Sequence, residues 1–592
     1  MKNIFKTLAV IAAVASVASC DLSEYNPNEY GEGMVIASTS SIQLALNTFH
    51  TGLTNQTLYG SDFGEADFVM ASTLDARFTA GYSADNLTSF GSWDELRDIN
   101  YFLQMMDSES CCVSGSEKDS YLAQAYFYRA EWYFNMLKKF GDLPWYDHVI
   151  TAATGDEFKD RDSRDEIIAM INKDLDFAIE NITVTSPDGT GLTKYVAAFL
   201  KMRANLYEAS FRKYNGVTAS VTGKAFSNYT IESLYREAID AAEFIMDSGN
   251  FQLVSSYRDL FTSKTLLTDE VILGAATSGS VLLNQNTYFN YSNQKSFVRP
   301  FINTFLMKDG SAYTSKSGYA TETFDKEFVN RDPRLAMIVR TPGYKYNGSK
   351  VVPAIDDDSA PLGYQIIKFC VDASPDGAND QKGNSNSNCL PNMRYAEVLL
   401  AYAEAKAELG ELTDADWTKT VGAIRSRAGI TGGLTAKPTS VDSYLQQNFY
   451  PGVTDAAILE IRRERACELC LECSRLDDLL RWGCGNLLAE LPWTGINIPA
   501  TDTPVDIDGD GAADYIFSTG GTVDGSVPSV DVSGKNTLQV VSNGSVKQLK
   551  YVISSSNRNW ASDGHLNLCP IPSLTITNYR DHGYNITQNI GY

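Results

Sequence analysis

The sequence predicts a mainly α-helical protein with a scaffold of tetratricopeptide-like helix pairs, interrupted by irregular loops and short strands. Two observations support this prediction. Apolar residues recur at helical spacing over 398–409 and 417–428, and Gly410 and Gly429 follow where left-handed helix ends are expected. Helix pairs also repeat at a period close to the roughly 34 residues of tetratricopeptide repeats. Because such a pair buries its apolar stripe only against other pairs, the pattern indicates architecture but not function.

Amphipathic patterns define the helical parts of the chain. They predict helices over 36–58, from Trp93 onwards, up to Gly141, and over 163–181, 193–214, 230–247 and 455–482. The helical period is lost from about 250 to 390, where the turn at Pro333 is expected to lead into a strand. Residues 484–569 form a second interruption, rich in Gly, Asp and Ser.

The amino terminus has the pattern of a bacterial lipoprotein signal. Lys2 and Lys6 precede a short apolar run over 8–17, and small residues lead directly to Cys20. We predict a signal peptide over 1–19 and diacylation of Cys20, which would anchor the protein to a membrane. The alternative is an ordinary secretory signal in which Cys20 is incidental. No other stretch of the sequence is apolar and long enough to span a bilayer.

Composition restricts the class of ligand. A formal net charge of −24 argues against nucleic acid and against an anionic membrane surface, and it leaves neutral ligands open. Nine cysteines besides Cys20 would permit disulfides in an exported protein, but their pairing cannot be read from the sequence. Cys467, Cys470 and Cys473 suggest a metal or iron–sulfur site by their spacing. Since they lie in a strongly helical run, we favour buried thiols that act as small hydrophobes.

Five separate motifs carry a family resemblance. They are RYAEVLLAYAEAKAELG with AIRSRAG, A-x-x-RA-x-x-YF with FGD-x-P, NRDPRL, ERACELCLECSRLDDLLRWG, and P-I-P with Q-N-x-G-Y. Together they resemble the SusD/RagB family of glycan-binding outer-membrane lipoproteins. Cys473 stands where the family has Gly, and Ile590 where it usually has Pro. The length would ordinarily suggest several domains. The resemblance instead implies one SusD-like domain over 20–592, with a helical scaffold at about 36–250 and 391–483, a ligand-loop insertion at about 251–390 and a Gly/Asp-rich insertion at about 484–569.

The resemblance also implies a function. It implies a lipid-anchored protein of the outer membrane, facing the cell exterior, that binds oligosaccharides and delivers them to a SusC-like TonB-dependent transporter without cleaving them. Two alternatives remain open: a surface glycoside hydrolase and a binder of peptides for import. Signs of catalysis are few, because the sequence contains no HExxH zinc motif, no G-x-S-x-G elbow and no P-loop. The sequence does not name the glycan.

Two irregular stretches, 78–93 and 284–299, combine aromatic residues with amides and an Arg. Flat aromatic faces suit the C–H faces of sugars, while amides and guanidiniums suit their hydroxyls. The resemblance implies that ligand residues come from such loops. We therefore predict ligand contacts from Tyr82, Asn86, Trp93, Tyr288, Tyr291 and Arg299. Trp93 has an alternative role in the core, because it opens a predicted helix.

A calcium site is predicted in the sequence DIDGDGAADY. Alternate carboxylates around a Gly turn at Gly511 converge on one hard cation in such loops. The predicted ligands are the side chains of Asp506, Asp508, Asp510 and Asp514 and the carbonyl oxygen of Ala512. The Glu that completes an EF-hand is absent, and we expect a structural Ca²⁺. The alternative is a solvated acidic turn.

Overall fold

The computed structural model describes residues 35–53, 66–70, 76–79, 81–151, 153–276, 296–346, 348–356, 359–372, 388–472, 474–521, 525–534, 537–552, 558–561 and 563–592. These residues are mainly α-helical, as predicted. Within them, no helix combines the length and the apolar character needed to cross a bilayer.

The amino-terminal half is a series of long helices that pack on one another. They are α1 (Thr39–Leu53), α2 (Trp93–Met106), α3 (Gly115–Phe140), α4 (Arg164–Asn181), α5 (Lys194–Asn215) and α6 (Ile231–Met246). In sequence order, α3 packs on α4, α4 on α5 and α5 on α6. Ser163 caps α4 by accepting from the Glu166 backbone N–H, and Gly216 ends α5 in the left-handed region. The predicted helices of this half are confirmed, although the structure describes the first only from Thr39 to Leu53.

The carboxy-terminal half adds shorter helices. They are α7 (Asp259–Thr262), α8 (Arg299–Ile302), α9 (Phe324–Glu327), α10 (Leu335–Ile338), α11 (Tyr395–Glu408), α12 (Asp414–Trp417), α13 (Ala423–Ala428), α14 (Ser443–Asn448), α15 (Ala456–Glu468), α16 (Arg475–Arg481), α17 (Leu487–Glu490) and α18 (Ser573–Asp581). Helix α11 packs on α6 and on α15. The apolar residues predicted over 417–428 are buried at Trp417, Val421 and Ile424. A π-helical turn lies between α12 and α13. Gly410 and Gly429 adopt positive φ, as predicted.

Two local predictions are wrong. The turn at Pro333 leads into the helical turn α10 instead of a strand, because the Asp332 carboxylate accepts from the Arg334 backbone N–H and starts the turn. The predicted helix over 455–482 breaks after Glu468, whose carbonyl oxygen accepts from the side chains of Tyr257 and Arg394. These side chains satisfy a carbonyl that the helix end leaves free.

Short strands lie in and beside the two insertions, apart from β1, which lies near the amino terminus. They are β1 (Val69–Met70), β2 (Val271–Ala275), β3 (Ser296–Phe297), β4 (Lys345–Tyr346), β5 (Ser349–Lys350), β6 (Leu390–Arg394), β7 (Thr494–Ile498), β8 (Pro504–Val505), β9 (Tyr515–Ser518), β10 (Ser529–Asp531), β11 (Leu538–Asn543) and β12 (Val546–Tyr551). Strands β2 and β6 pair antiparallel, with Val271 opposite Arg394. The order β11–β12–β7 forms one antiparallel sheet, and β10–β9–β8 forms another with a parallel β9–β10 pair.

A buried ion-pair network joins three of the family motifs. Glu468 of α15 accepts from Arg394 at 2.7 Å and from Arg334 at 2.8 Å, and it also pairs with Arg427. All four side chains are almost fully buried. The three guanidiniums outweigh the cost of burial and hold the pKa of Glu468 well below its usual range. The motif positions therefore pin β6, α10, α13 and α15 to one another.

Cys467 and Cys470 are fully buried in the larger of two hydrophobic clusters, which supports the interpretation as apolar thiols. Burial raises the pKa of the Cys467 thiol, which disfavours the thiolate that a metal would need. Cys473 lies outside the described residues. The second cluster contains the amino-terminal helices, and Met246 and Tyr395 pack against both.

Candidate functional site

The predicted residue Tyr82 lies against the carboxy-terminal end of the chain. Its ring meets that of Tyr592 edge to face, with 6.4 Å between centroids and 77° between planes. Tyr82 is half-buried, and burial together with the neighbouring Cys569 raises the pKa of its hydroxyl. Asn86 is exposed at the end of a short 3₁₀ turn, where its side-chain oxygen accepts from the Ser83 backbone N–H at 2.6 Å.

Two predicted ligand residues contact the core: Trp93 is half-buried and Arg299 is buried. The Trp93 indole packs on Trp132 with 4.8 Å between centroids and donates to the Phe90 carbonyl oxygen, which supports its alternative role in the core. Arg299 is 3% exposed and pairs with Glu327 at 3.0 Å. Its guanidinium balances a buried carboxylate and does not reach a surface, which corrects the prediction of a ligand contact. Tyr288 and Tyr291 lie outside the described residues.

A cavity of about 800 Å³ lies beside the Tyr82–Tyr592 contact. We call it the C-terminal cavity, because its lining includes Trp560, Asp563, Gly564, His565, Asn567, Leu568, Asn589 and Ile590. The ends of α3 and α5 and the start of α17 form the other side. His565 connects the two features, since it lines the cavity and its ring meets that of Tyr592 at 4.8 Å between centroids. The volume is within the range of about 300–1,000 Å³ usual for ligand sites.

Trp560 gives the cavity an aromatic wall. Its indole lies directly on the backbone of Gly485, where an added Cβ would come within 2.0 Å of the Trp560 ring. The lack of a side chain at Gly485, two residues before α17, leaves room for this close approach. A half-buried indole held in this way offers apolar area at low entropic cost.

Asn567 gives the cavity an unsatisfied hydrogen-bond acceptor. Its side-chain N–H donates to the Asn215 side-chain oxygen at 2.6 Å, and Asn215 in turn donates to the carbonyl oxygens of Phe211 and Leu480. The Asn567 side-chain oxygen is buried, and none of the described residues donates to it. A buried acceptor without a partner costs free energy, so this atom favours a ligand that brings a hydroxyl or N–H donor.

Charge in the cavity disfavours anions. Glu490 and Asp563 line it, and Asp563 also accepts from the His565 ring and backbone, which lowers the pKa of its carboxyl. The cation Arg164 also lines it, but its guanidinium is bound at 2.8 and 2.6 Å by both carboxylate oxygens of Glu208. The described lining residues therefore offer hydrogen-bond acceptors and aromatic carbon, and none of them is an Arg or Lys without a carboxylate partner.

Trp560 and Asn567 are not among the residues predicted from the sequence. The signal was present, because 556–567 has the same mixture of Asn, Ser, Gly and aromatic residues that led to the choice of 78–93 and 284–299. The sequence does not show that Asn567 lies against Asn215 at the end of α5, or that Trp560 lies against Gly485 near the start of α17.

The acidic loop lies in the hairpin between β8 and β9 and brings three of its four carboxylates together. Oxygen atoms of Asp506, Asp508 and Asp514 lie within 4.8 Å of one another. Burial, with the charges of Asp508 and Asp506, raises the pKa of Asp514. Asp510 lies outside this group, pairs with Lys350 of β5 at 3.0 Å and accepts from the Ala512 backbone N–H. The Lys350 ammonium also lies 3.7 Å from the Asp508 carboxylate. The three gathered carboxylates are the ligand type that hard cations such as Ca²⁺ prefer.

Comparison with known proteins identifies the fold and the family. The model of the SusD family matches residues 270–592. The chain belongs to the SusD family. Among its relatives, SusD-like protein P2 of Formosa agariphila is 22% identical over 512 residues, which cover 81% of this chain and 91% of that protein.

Solved structures of SusD-like proteins share the fold. A SusD-like carbohydrate binding protein from Bacteroides fragilis has a TM-score of 0.65 at 17% identity, covering 91% of this chain and 98% of that one. Surface glycan-binding protein A from Bacteroides fluxus has a TM-score of 0.56 at 18% identity, covering 94% and 100%. The predicted SusD-like fold is thus confirmed.

Proposed function

We propose that this SusD-family protein binds neutral oligosaccharides in its C-terminal cavity, without cleaving them. One observation carries the proposal: the same cavity is lined by the Trp560 indole and by Asn567, whose side-chain oxygen has no donor among the described residues. A sugar ring has an apolar C–H face for the indole and hydroxyl donors for the amide oxygen. The absence of a free positive charge in the lining favours neutral glycans over acidic ones.

The segment around Tyr82 extends this site. Tyr82, Tyr592 and His565 form a continuous row of ring contacts that ends at the cavity. A glycan longer than the cavity would pass along this row, where Asn86 is exposed. Tyr288 and Tyr291 remain proposed contacts from the other predicted loop. Membership of a family with carbohydrate-binding relatives supports the ligand class.

The cellular role follows from the proposed anchor. We propose that Cys20 is diacylated and holds the protein on the outer membrane, facing the exterior, where it delivers oligosaccharides to a SusC-like TonB-dependent transporter. The support is the lipoprotein signal pattern over 1–19 and the family resemblance. Capture and delivery need no catalytic residue.

A glycan array tests the ligand class. The protein lacking residues 1–20 is screened against neutral, acidic and amino-containing glycans, and the strongest neutral binder is titrated calorimetrically. We expect Trp560→Ala to weaken binding by about tenfold, about 1.4 kcal/mol, with Trp560→Phe close to wild type. Thermal melts of both variants separate loss of contact from loss of fold.

Three results would count against this function. They are the absence of any neutral glycan hit, equal affinity in a folded Trp560→Ala variant, and release of shorter sugars during incubation. The last result would favour the glycoside hydrolase.

We also propose a structural Ca²⁺ at Asp506, Asp508 and Asp514. A cation there would relieve the mutual repulsion of the three carboxylates, which adds to burial in raising the pKa of Asp514. Asp510 and Ala512, predicted as further ligands, stay in the proposal as loop residues whose mutual hydrogen bond shapes the turn.

A further inference from the structure

A second cavity, of about 780 Å³, lies where the loop 309–319 meets α14 and the loop before it. We call it the α14 cavity, and it shares no lining residue with the C-terminal cavity. One wall is a close backbone crossing. An added Cβ on Gly432 would lie 2.0 Å from the Asp309 carbonyl oxygen, and one on Gly310 would lie 2.6 Å from the Gly432 carbonyl oxygen. Only Gly fits at this crossing, so the wall is fixed by the backbone itself.

The floor of the α14 cavity consists of paired charges. Arg463 of α15 donates to Glu460 at 2.8 Å and also pairs with Asp442. Arg425 donates to Glu460 and, at 2.9 Å, to Glu464. Breaking such a buried pair leaves an uncompensated charge. Because each Arg on the floor is already paired with carboxylates, the floor disfavours a charged ligand.

One donor on this floor has no partner. Arg463 is 4% exposed, and its Nε is buried without an acceptor among the described residues. Arg nitrogens only donate, so a ligand that completes the floor must bring an acceptor oxygen.

The mouth of the α14 cavity is aromatic and polar. The rings of Tyr319 and Tyr444 are 6.5 Å apart between centroids and nearly perpendicular, at 83°. Beside them, Ser443, Gln447 and Asn448 are exposed on α14 and line the cavity. Aromatic carbon, hydroxyls and amides around a floor of paired charges match a neutral polyhydroxylated ring.

We propose that the α14 cavity is a second saccharide site, which takes a neutral mono- or disaccharide. The proposal rests on the glycan-binding function proposed above, because it assigns a second site to the same class of ligand. The volume is sufficient for one or two sugar rings, whereas a longer chain would have to leave through the mouth. Arg463 Nε would donate to a ring or hydroxyl oxygen, and Tyr319 would contact the C–H face.

The test uses the Trp560→Ala background, in which the C-terminal cavity is impaired. Glucose, galactose, mannose, N-acetylglucosamine, maltose and cellobiose are probed by saturation-transfer NMR and titration, with glucuronate as the charged comparison. We expect at least one neutral probe to bind the background variant. Adding Tyr319→Ala, or Ser443→Trp to fill the mouth, should weaken that binding at least tenfold, while Tyr319→Phe should leave it within about twofold.

Several outcomes overturn the second site while leaving the first intact. They are binding by wild type with none in the Trp560→Ala background, unchanged binding in folded Tyr319→Ala and Ser443→Trp variants, and glucuronate binding as tight as that of glucose. If wild type binds no glycan at all, the proposed function fails as well. Thermal melts of every variant exclude unfolding as the cause of a loss.

Discussion

The side-chain N–H of Asn567 donates to the side-chain oxygen of Asn215 at 2.6 Å. The side-chain oxygen of Asn567 is buried and has no donor among the described residues. The two residues are 352 positions apart. Asn215 is itself held at the end of α5 by two backbone carbonyls. The C-terminal cavity therefore contains a buried acceptor whose orientation is fixed before any ligand arrives, which lowers the entropic cost of binding.

The first prediction concerns this acceptor. Asn567→Ala should weaken binding of the glycan found by array about tenfold, because a buried hydrogen bond is worth about 1–1.5 kcal/mol. Titration calorimetry measures the affinity, and Asn250→Ala, at an exposed position outside both cavities, is the matched control. An affinity in Asn567→Ala equal to wild type would show that the ligand does not use this atom.

The second prediction concerns Tyr82. If the row of rings extends the site, Tyr82→Ala should weaken binding of a long oligosaccharide about tenfold and that of a disaccharide about twofold or less. Tyr82→Phe keeps the ring contact with Tyr592 and should bind like wild type. A fall in melting temperature with unchanged affinity would instead mean that Tyr82 packs the loop onto the carboxy terminus.

The third prediction concerns the proposed Ca²⁺. Chelation or Asp508→Ala should lower the melting temperature, because Ca²⁺ at 100 times its Kd stabilises the folded state by about 2.7 kcal/mol. Asp510→Asn is the control, since Asp510 pairs with Lys350 and lies outside the gathered carboxylates. Identical melting curves with Ca²⁺ and with chelator, and no Ca²⁺ in the purified protein, would remove the site.

The fourth prediction concerns Glu131 of α3. Burial and the neighbouring Glu95 raise the pKa of Glu131 to about 7, although Lys138 and Arg203 oppose this. The folded state thus holds the proton more tightly, so this contribution to stability is present below about pH 4.5 and is lost as the pH rises to about 7.

Glu131→Gln removes this ionisation. The variant should be more stable than wild type at pH 8 by about 1–2 kcal/mol, a value reduced for partial exposure, and similar at pH 4.5. Urea unfolding at the two pH values measures the difference, with the exposed Glu109→Gln as control. A constant difference at both pH values would contradict the raised pKa.

The fifth prediction concerns the anchor. Cys20→Ala should release the protein in soluble form, because the acyl chains are the proposed means of membrane attachment. Fractionation of cells that lack the transporter measures this, since a protein partner could otherwise retain the variant. A variant that stays in the membrane fraction of such cells would contradict the proposal.

Local features of the fold were readable from the sequence. The stripe at Trp417, Val421 and Ile424 predicted a buried helical face, and positive φ at Gly410 and Gly429 followed from their positions at helix ends. Such features depend on residues three or four positions apart, so the sequence states them directly. The strand predicted after Pro333 is absent, because the Asp332 carboxylate accepts from the Arg334 backbone N–H and a helical turn follows.

The sequence by itself determined the helical scaffold, its family motifs and the composition of the loops. The tertiary structure decided which polar groups face a ligand, because each depends on a distant partner. The buried Arg299 guanidinium pairs with Glu327. The Asp510 carboxylate pairs with Lys350, which is 160 positions away. The Trp560 indole packs on the backbone of Gly485. A buried charge or acceptor needs a partner, and that partner can be distant in sequence. The spacing of residues along the chain therefore does not show which group it will be.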